Sequence, residues 1–242
     1  MKNALVDGLL QQAKTLKRLI YRGVYHASGA AKTDAETVER FHQLYYDSAI
    51  FGATWNQTSW LGTPVLKCQT DLWLYQEMLF ELKPDLIIET GSAAGGSAHY
   101  MASILELLGK GKVVTIDIEK RERPAHPRIT YLTGSSTDPA LVNVVKSMIR
   151  PNDQVLVTLD SDHSKTHVLN ELRTYHSLVP KGSYLIVEDS NVNGHPVAKD
   201  FGPGPMEALE EFLKENTQFE VDKTKEKFLL TFNPKGYLKR VG

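Results

Sequence analysis

Acidic and imidazole side chains gather at two places in the second half of this 242-residue chain, Asp160-Ser161-Asp162-His163 and Glu188-Asp189. Each group closes a short apolar run, QVLVTLD (154–160) and SYLIVED (183–189). If these runs are neighbouring strands, their ends lie about 5 Å apart and three or four carboxylates share one crevice. Like charges that close repel unless something neutralises them. A hard divalent cation does so, and magnesium needs only a few carboxylates beside water and substrate oxygens. The expected ligands of Mg2+, or of another divalent cation, are Asp160, Glu188 and Asp189. Asp162 is a further acid that can instead cap the helix beginning near Lys165. His163, with an unperturbed pKa of about 6.5, is suited to taking a proton from a hydroxyl that the cation polarises. Asp160 and His163 are therefore the expected catalytic pair.

A second constellation lies upstream. The run LIIET (86–90) opens into Gly91-Ser92-Ala93-Ala94-Gly95-Gly96-Ser97. Glycines here permit a tight turn and close backbone approach, and the following helix offers free N–H groups to a carboxylate. The spacing is E-x-G-x-x-x-G, which lacks the middle glycine of the dinucleotide fingerprint that admits a pyrophosphate. S-adenosylmethionine has no pyrophosphate; it has an amino-acid end and a ribose. Asp117 closes the next run, VVTID (113–117), 26 residues after Gly91, where a carboxylate can accept both ribose hydroxyls. The turn and Asp117 together point to an adenosine-bearing cofactor, with Ser135 and Ser136 beside its adenine.

The elements that must position these residues are legible as a rhythm. Apolar runs at 86–90, 113–117, 128–132, 154–160 and 183–189 alternate with helical patterns at 97–108, 139–149 and 165–178. That alternation predicts a parallel sheet buried on both faces. A helix near 206–216 follows, then FEVD (219–222) and KFLLTF (227–232), read as an antiparallel hairpin closing the sheet. The fold class expected is α/β: a doubly wound, mostly parallel seven-stranded Rossmann-like sheet. Residues 1–80 read as an N-terminal helical and flap region, with helices at 37–51 and 71–82, and residues 81–242 as the cofactor-binding domain. Between those two helices, GATWNQTSWLGTPVLKC (52–68) reads as an ordered surface loop or as a flap over a ligand.

Composition narrows the partners. Lys plus Arg number 28 against 29 Asp plus Glu, a net charge of -1, so nucleic acid has no electrostatic footprint here. No run of about 18 apolar residues is available to span a membrane. The single Cys68 cannot form an internal disulfide, which suits a reducing cytoplasm, and it reads as a small buried hydrophobe. Near the N-terminus, Leu5, Leu9, Leu16 and Ile20 recur at helical spacing between Lys14, Lys17 and Arg18. Asp7, Gln11, Gln12 and Lys14 interrupt the apolar centre that a signal peptide requires. This amphipathic helix is expected to pack on its own domain or on a second subunit of a homo-oligomer, with peripheral membrane contact as the alternative.

The stretches TSWLGTPVLKCQTDLW, DLIIETGSAAGGSA, LDSDHSKTHVLNEL and VEDSNVNGHP together make the sequence, over roughly residues 40 to 235, resemble the cephalosporin hydroxylase family. That family has the fold of class I methyltransferases and is similar to magnesium-dependent sugar O-methyltransferases. The resemblance implies S-adenosylmethionine at Glu89, Gly91, Gly95, Gly96, Ser97 and Asp117, with Ser92 and Asp160 among its neighbours. It implies a metal at Asp160, Glu188 and Asp189, a general base at His163, and a glycan or small-molecule hydroxyl as acceptor. Three other readings compete: a hydroxylase, as the family label suggests; a nicotinamide-dependent oxidoreductase; and a non-catalytic subunit that keeps the fold to bind a partner. The usual non-haem iron site has two histidines and one carboxylate, whereas this cluster is nearly all carboxylate.

Overall fold

The computed structural model describes residues 12–13, 16–17, 19–21, 23–25, 27–47 and 52–242. The chain divides into two compact units, Met1–His42 and Gln43–Gly242. Helix α1 (Ala30–Tyr46) starts earlier than the 37–51 pattern predicts, and the end of that pattern, 48–51, lies outside the described residues. So do Leu5 and Leu9, whereas Leu16 and Ile20 are helical and 59% exposed.

The apolar runs form one seven-stranded sheet. Its strands are β3 (Leu86–Thr90), β4 (Lys112–Asp117), β5 (Ile129–Thr133), β6 (Val155–Leu159), β7 (Tyr184–Val187), β8 (Phe219–Val221) and β9 (Tyr237–Arg240), in the order β5-β4-β3-β6-β7-β9-β8. The first five are parallel, and β9 runs antiparallel to both β7 and β8. Alternate residues of each strand face opposite sides. Ile87, Val113, Leu156 and Ile186 pack under α2 (Gln69–Leu82) and α3 (Gly96–Leu107). Ile88, Val114, Val157 and Leu185 pack under α4 (Pro139–Ser147), α5 (Lys165–Tyr175) and α6 (Pro205–Glu215). Side-chain caps start two of these helices: Asp138 accepts the Ala140 N–H, and Ser164 accepts that of His167.

One expectation fails. KFLLTF (227–232) is not a strand, and the partner of β8 is Tyr237–Arg240. Leu229 takes a φ of 68° and its side chain is exposed, which breaks the extended run. Leu230 and Phe232 instead pack against Cys68, which is buried as expected. Ahead of α2, the segment predicted as a loop or flap holds a 3-10 turn (Thr54–Gln57) and a short hairpin of β1 (Ser59–Trp60) and β2 (Thr63–Pro64).

The pairing register fixes the site. Thr90 lies opposite Leu159, and Leu159 opposite Val187, so the residues that follow them emerge side by side at one sheet edge. Ligands bind at that carboxyl end, where the strand order reverses between β3, β4 and β6. Two glycines allow the crowding. Gly91 has a φ of +86°, and a Cβ there would lie 1.7 Å from the Asp160 carbonyl oxygen. A Cβ on Gly96 would lie 2.0 Å from the carbonyl oxygen of Pro64 in the hairpin.

Gly109 also has a positive φ, +70°, but a Cβ there would meet nothing within 4 Å. Gly109→Ala is therefore expected to cost only the backbone strain, roughly 1–2 kcal/mol. Gly91→Ala adds a collision with backbone and is expected to cost more than about 4 kcal/mol, among the largest single-residue effects. Denaturant melts of the two variants measure the difference.

Candidate active site

Asp160 follows β6, and Glu188 and Asp189 follow β7. A fourth charge meets them. Lys67, just before α2 and 5% exposed, places Nζ 2.7 Å from Asp160 Oδ2 and 3.0 Å from Glu188 Oε1. The Tyr75 hydroxyl also donates to Glu188, and the Thr158 hydroxyl lies 3.3 Å from the same oxygen. Burial pushes the Glu188 carboxyl up, but the Lys67 charge and the Tyr75 hydrogen bond outweigh it and hold it below the usual value. Asp160 behaves oppositely: burial pushes it up to about 7 against the pull of Lys67. Burial likewise raises Asp189, against the pull of His163.

The His163 imidazole lies in front of these acids. Its Nε2 is 3.3 Å from Asp189 Oδ2 and 4.0 Å from Asp160 Oδ1. Asp160, His163 and Asp189 each offer a ligand atom, and these atoms lie within 4.8 Å of one another. Two carboxylates raised by burial, with one imidazole, suit a hard divalent cation, since its charge removes the cost of ionising both. The expected trio is thus divided: Asp160 and Asp189 share the His163 group, while Glu188 faces Lys67. Asp162 stands apart, accepting the Ser164 N–H at 2.7 Å at the start of α5.

Two cavities meet at this cluster. The larger, about 640 Å³, runs from Gly91 and Ala93 past Asp117 to Ser135, Ser136 and His167. Asp117 accepts the backbone N–H groups of Ala93 at 2.7 Å and Glu119 at 2.8 Å, and Arg123 approaches it at 3.2 Å. Glu89 is fully buried beneath the glycine turn, where the Ser97 and Thr115 hydroxyls donate to it. Burial raises its carboxyl, against the pull of Lys67. The Ser92 hydroxyl is paired with Thr115 at 2.7 Å. Gly95, with a φ of 83°, is the N-cap of α3.

The smaller cavity, about 330 Å³, lies between the hairpin segment and the glycine turn, and its lining includes Ser92, Gly96, Ser97 and Lys67. Tyr46 and Trp55 form one wall, their rings stacked at 5.5 Å and 21°. The Trp55 Nε1–H is buried with no hydrogen-bond partner among the described residues. Asp160, His163 and Asp189 lie on the lining too.

Lys67 and Arg123 are absent from the sequence expectations. Their partners are 93 and 6 residues away in the chain, and no local motif announces either pair.

Comparison with known proteins matches residues 52–241 to the family model described as Rhamnosyl O-methyltransferase/CmcI. The rhamnosyl O-methyltransferase of Mycobacterium tuberculosis is 40% identical over 211 residues, 84% of each chain. That of Mycobacterium leprae is 40% identical over 209 residues, 84% of this chain and 90% of its own. Among solved structures, an apo structure of CmcI superposes with a TM-score of 0.61 at 23% identity, covering 77% of each chain. A CmcI structure described as Mg-SAM gives 0.59 at 22% identity, over 77% of this chain and 78% of the other. At these identities the structural likeness concerns the fold.

Removing one member of a buried ion pair strands the other's charge and typically costs about 3–5 kcal/mol. Lys67→Met is expected to lose stability in that range, as read by denaturant unfolding. Glu188→Gln in the same background is expected to recover part of the loss.

Proposed function

We infer, for a chain that belongs to the rhamnosyl O-methyltransferase/CmcI family, that it transfers a methyl group from S-adenosylmethionine to a hydroxyl of a sugar, with a divalent cation at the strand-end acids. The observation that carries the reading is the Asp160–His163–Asp189 group, of which Asp160 and His163 line both cavities and Asp189 lines the smaller one. The larger cavity suits the cofactor: Asp117 takes the ribose hydroxyls, Ser135 and Ser136 neighbour the adenine, and Gly91 lets the backbone approach. Glu89, Ser92, Gly95, Gly96 and Ser97 shape and brace the turn around the amino-acid end. The smaller cavity suits the acceptor. Its Tyr46–Trp55 wall offers aromatic faces to the C–H groups of a sugar ring, and Trp55 has a donor to spare.

The roles within the cluster follow from its contacts. Asp160 and Asp189 hold the cation, and Glu188 holds the Lys67 ammonium beside Asp160. His163 takes the proton of the acceptor hydroxyl, and Asp189, 3.3 Å from its Nε2, stabilises the imidazolium that results. When bound, the cofactor supplies the methyl group and the cation lowers the charge density on the acceptor oxygen. The walls of the two cavities bring the reactants into line, and such positioning lowers the barrier without a protein nucleophile.

The acceptor we assign is a rhamnosyl residue, on the strength of the 40% identical mycobacterial relatives. We assign residues 1–80 to a helical and flap region and 81–242 to the cofactor-binding domain, since residues 55 and 64–67 line the smaller cavity. We also assign the working enzyme to the cytoplasm as a homo-oligomer. No helix of the described residues is long and apolar enough to cross a membrane, and Leu16, Ile20 and Val24 present an uncovered apolar face.

S-adenosylhomocysteine at a hundred times its Kd is expected to stabilise the protein by about 2.7 kcal/mol. Calorimetry should show the affinity lost in Asp117→Ala and kept in Asp189→Asn; no binding to the unaltered protein would end the reading. With an alkyl rhamnoside and labelled donor, chelation by EDTA should abolish transfer and Mg2+ restore it. Asp189→Asn should weaken Mn2+ binding, measured by electron paramagnetic resonance, by at least about tenfold, roughly 1.4 kcal/mol. Trp55→Ala should raise KM for the rhamnoside several-fold with kcat little changed, the mark of lost ground-state binding.

A further inference from the structure

Behind the wall of the larger cavity a fully buried carboxylate gathers three cavity-lining residues. Glu171, on α5, accepts at Oε1 from the Ser136 hydroxyl at 2.5 Å and the Ser161 hydroxyl at 2.7 Å, and His167 Nε2 lies 3.3 Å from the same oxygen. Ser136 Oγ is also 3.1 Å from His167 Nε2. These contacts join the loop after β5, the loop after β6 and the first turn of α5 at one point. The second oxygen, Glu171 Oε2, is buried with no partner among the described residues. A buried carboxylate oxygen in that state favours a donor brought by a ligand or by water.

Serine, histidine and glutamate in contact invite comparison with a hydrolytic triad, and the geometry argues against it. A triad uses the two imidazole nitrogens separately, one for the nucleophile and one for the acid. Here a single nitrogen, Nε2, faces both Ser136 and Glu171, and the serine proton is already given to the carboxylate. The cluster is a fixture that orients an imidazole. His167 lines the cavity together with Ser135 and Ser136.

We propose that His167, oriented by Glu171 and Ser136, recognises the amino edge of the cofactor's adenine and makes this cavity select adenine over hypoxanthine. The proposal rests on the S-adenosylmethionine reading and adds a residue that determines its specificity. With Nε2 engaged by the carboxylate, Nδ1 is the ring atom left for the base. With its one proton on Nε2 toward Glu171, the ring accepts from the exocyclic amino group at Nδ1. Hypoxanthine presents a carbonyl oxygen in place of that amino group, so two lone pairs would face each other.

The test compares S-adenosylhomocysteine with S-inosylhomocysteine by calorimetry, on the unaltered protein and on His167→Phe and His167→Ala. The unaltered protein should prefer the adenosyl form by about tenfold or more, the value of one well-placed hydrogen bond. Each variant should lose about tenfold for the adenosyl form, hold the inosyl form within about twofold, and show no preference. Glu171→Gln, which frees the ring without removing it, should fall between. Equal weakening of both analogues, or a preference that survives both His167 variants, overturns the proposal while leaving the methyltransferase reading intact. Failure of the unaltered protein to bind either analogue overturns both together.

Discussion

One ammonium group sits between carboxylates from two different strand ends, and the organisation of the site depends on it. Lys67 is almost completely buried, and so is Glu188. Neither charge could stay ionised there alone, because leaving water costs several kcal/mol per ion. Together, with Tyr75 and Thr158 completing the hydrogen bonding, they form a neutral pair that anchors the hairpin segment to the floor of the sheet. Asp160 shares the same ammonium but keeps a second oxygen toward His163. The lysine therefore divides the acids into a fully buried partner, Glu188, and a half-buried remainder. That remainder, Asp160 and Asp189, gathers with His163 into a group whose ligand atoms lie within 4.8 Å of one another.

Strand register does the rest of the positioning. Because β3, β6 and β7 pair without offset, the residues after Thr90, Leu159 and Val187 share one edge. Gly91 then lets the β3 turn lie against the Asp160 backbone, and Gly96 lets the hairpin lie against the start of α3. Position along the chain becomes position in the site through hydrogen-bond ladders, with the loops adding only the last few ångströms.

Much of this was legible from the chain itself, because buried parallel strands are continuous apolar runs and each functional acid stands at the end of one. Asp117, Asp160, Glu188 and Asp189 could be found that way, and the neighbouring strand ends are as expected. What escaped was whatever depends on contacts far apart in sequence. Lys67 reads as an ordinary lysine until Asp160 and Glu188 are folded against it, and Glu171 reads as a helix-surface acid until Ser136 and Ser161 reach it. The KFLLTF segment misled for a related reason. Its apolar residues are used to cover Cys68 rather than to extend the sheet, and composition is the same in either use.

The two cavities share Gly91, Ala93, Asp160, Ser161 and His163 as a common partition. A partition that serves both rooms cannot be remodelled for one without altering the other, so these positions are closed to drift in acceptor preference. Freedom to accommodate a new acceptor is confined to the opposite wall, at Tyr46, Trp55, Leu66, Val192 and Phe201. Those residues lie outside the sheet, Tyr46 at the end of α1 and the others in connecting segments. Change at that wall leaves the sheet in place but reaches the Cys68–Leu230–Phe232 cluster, against which Tyr46 and Trp55 pack.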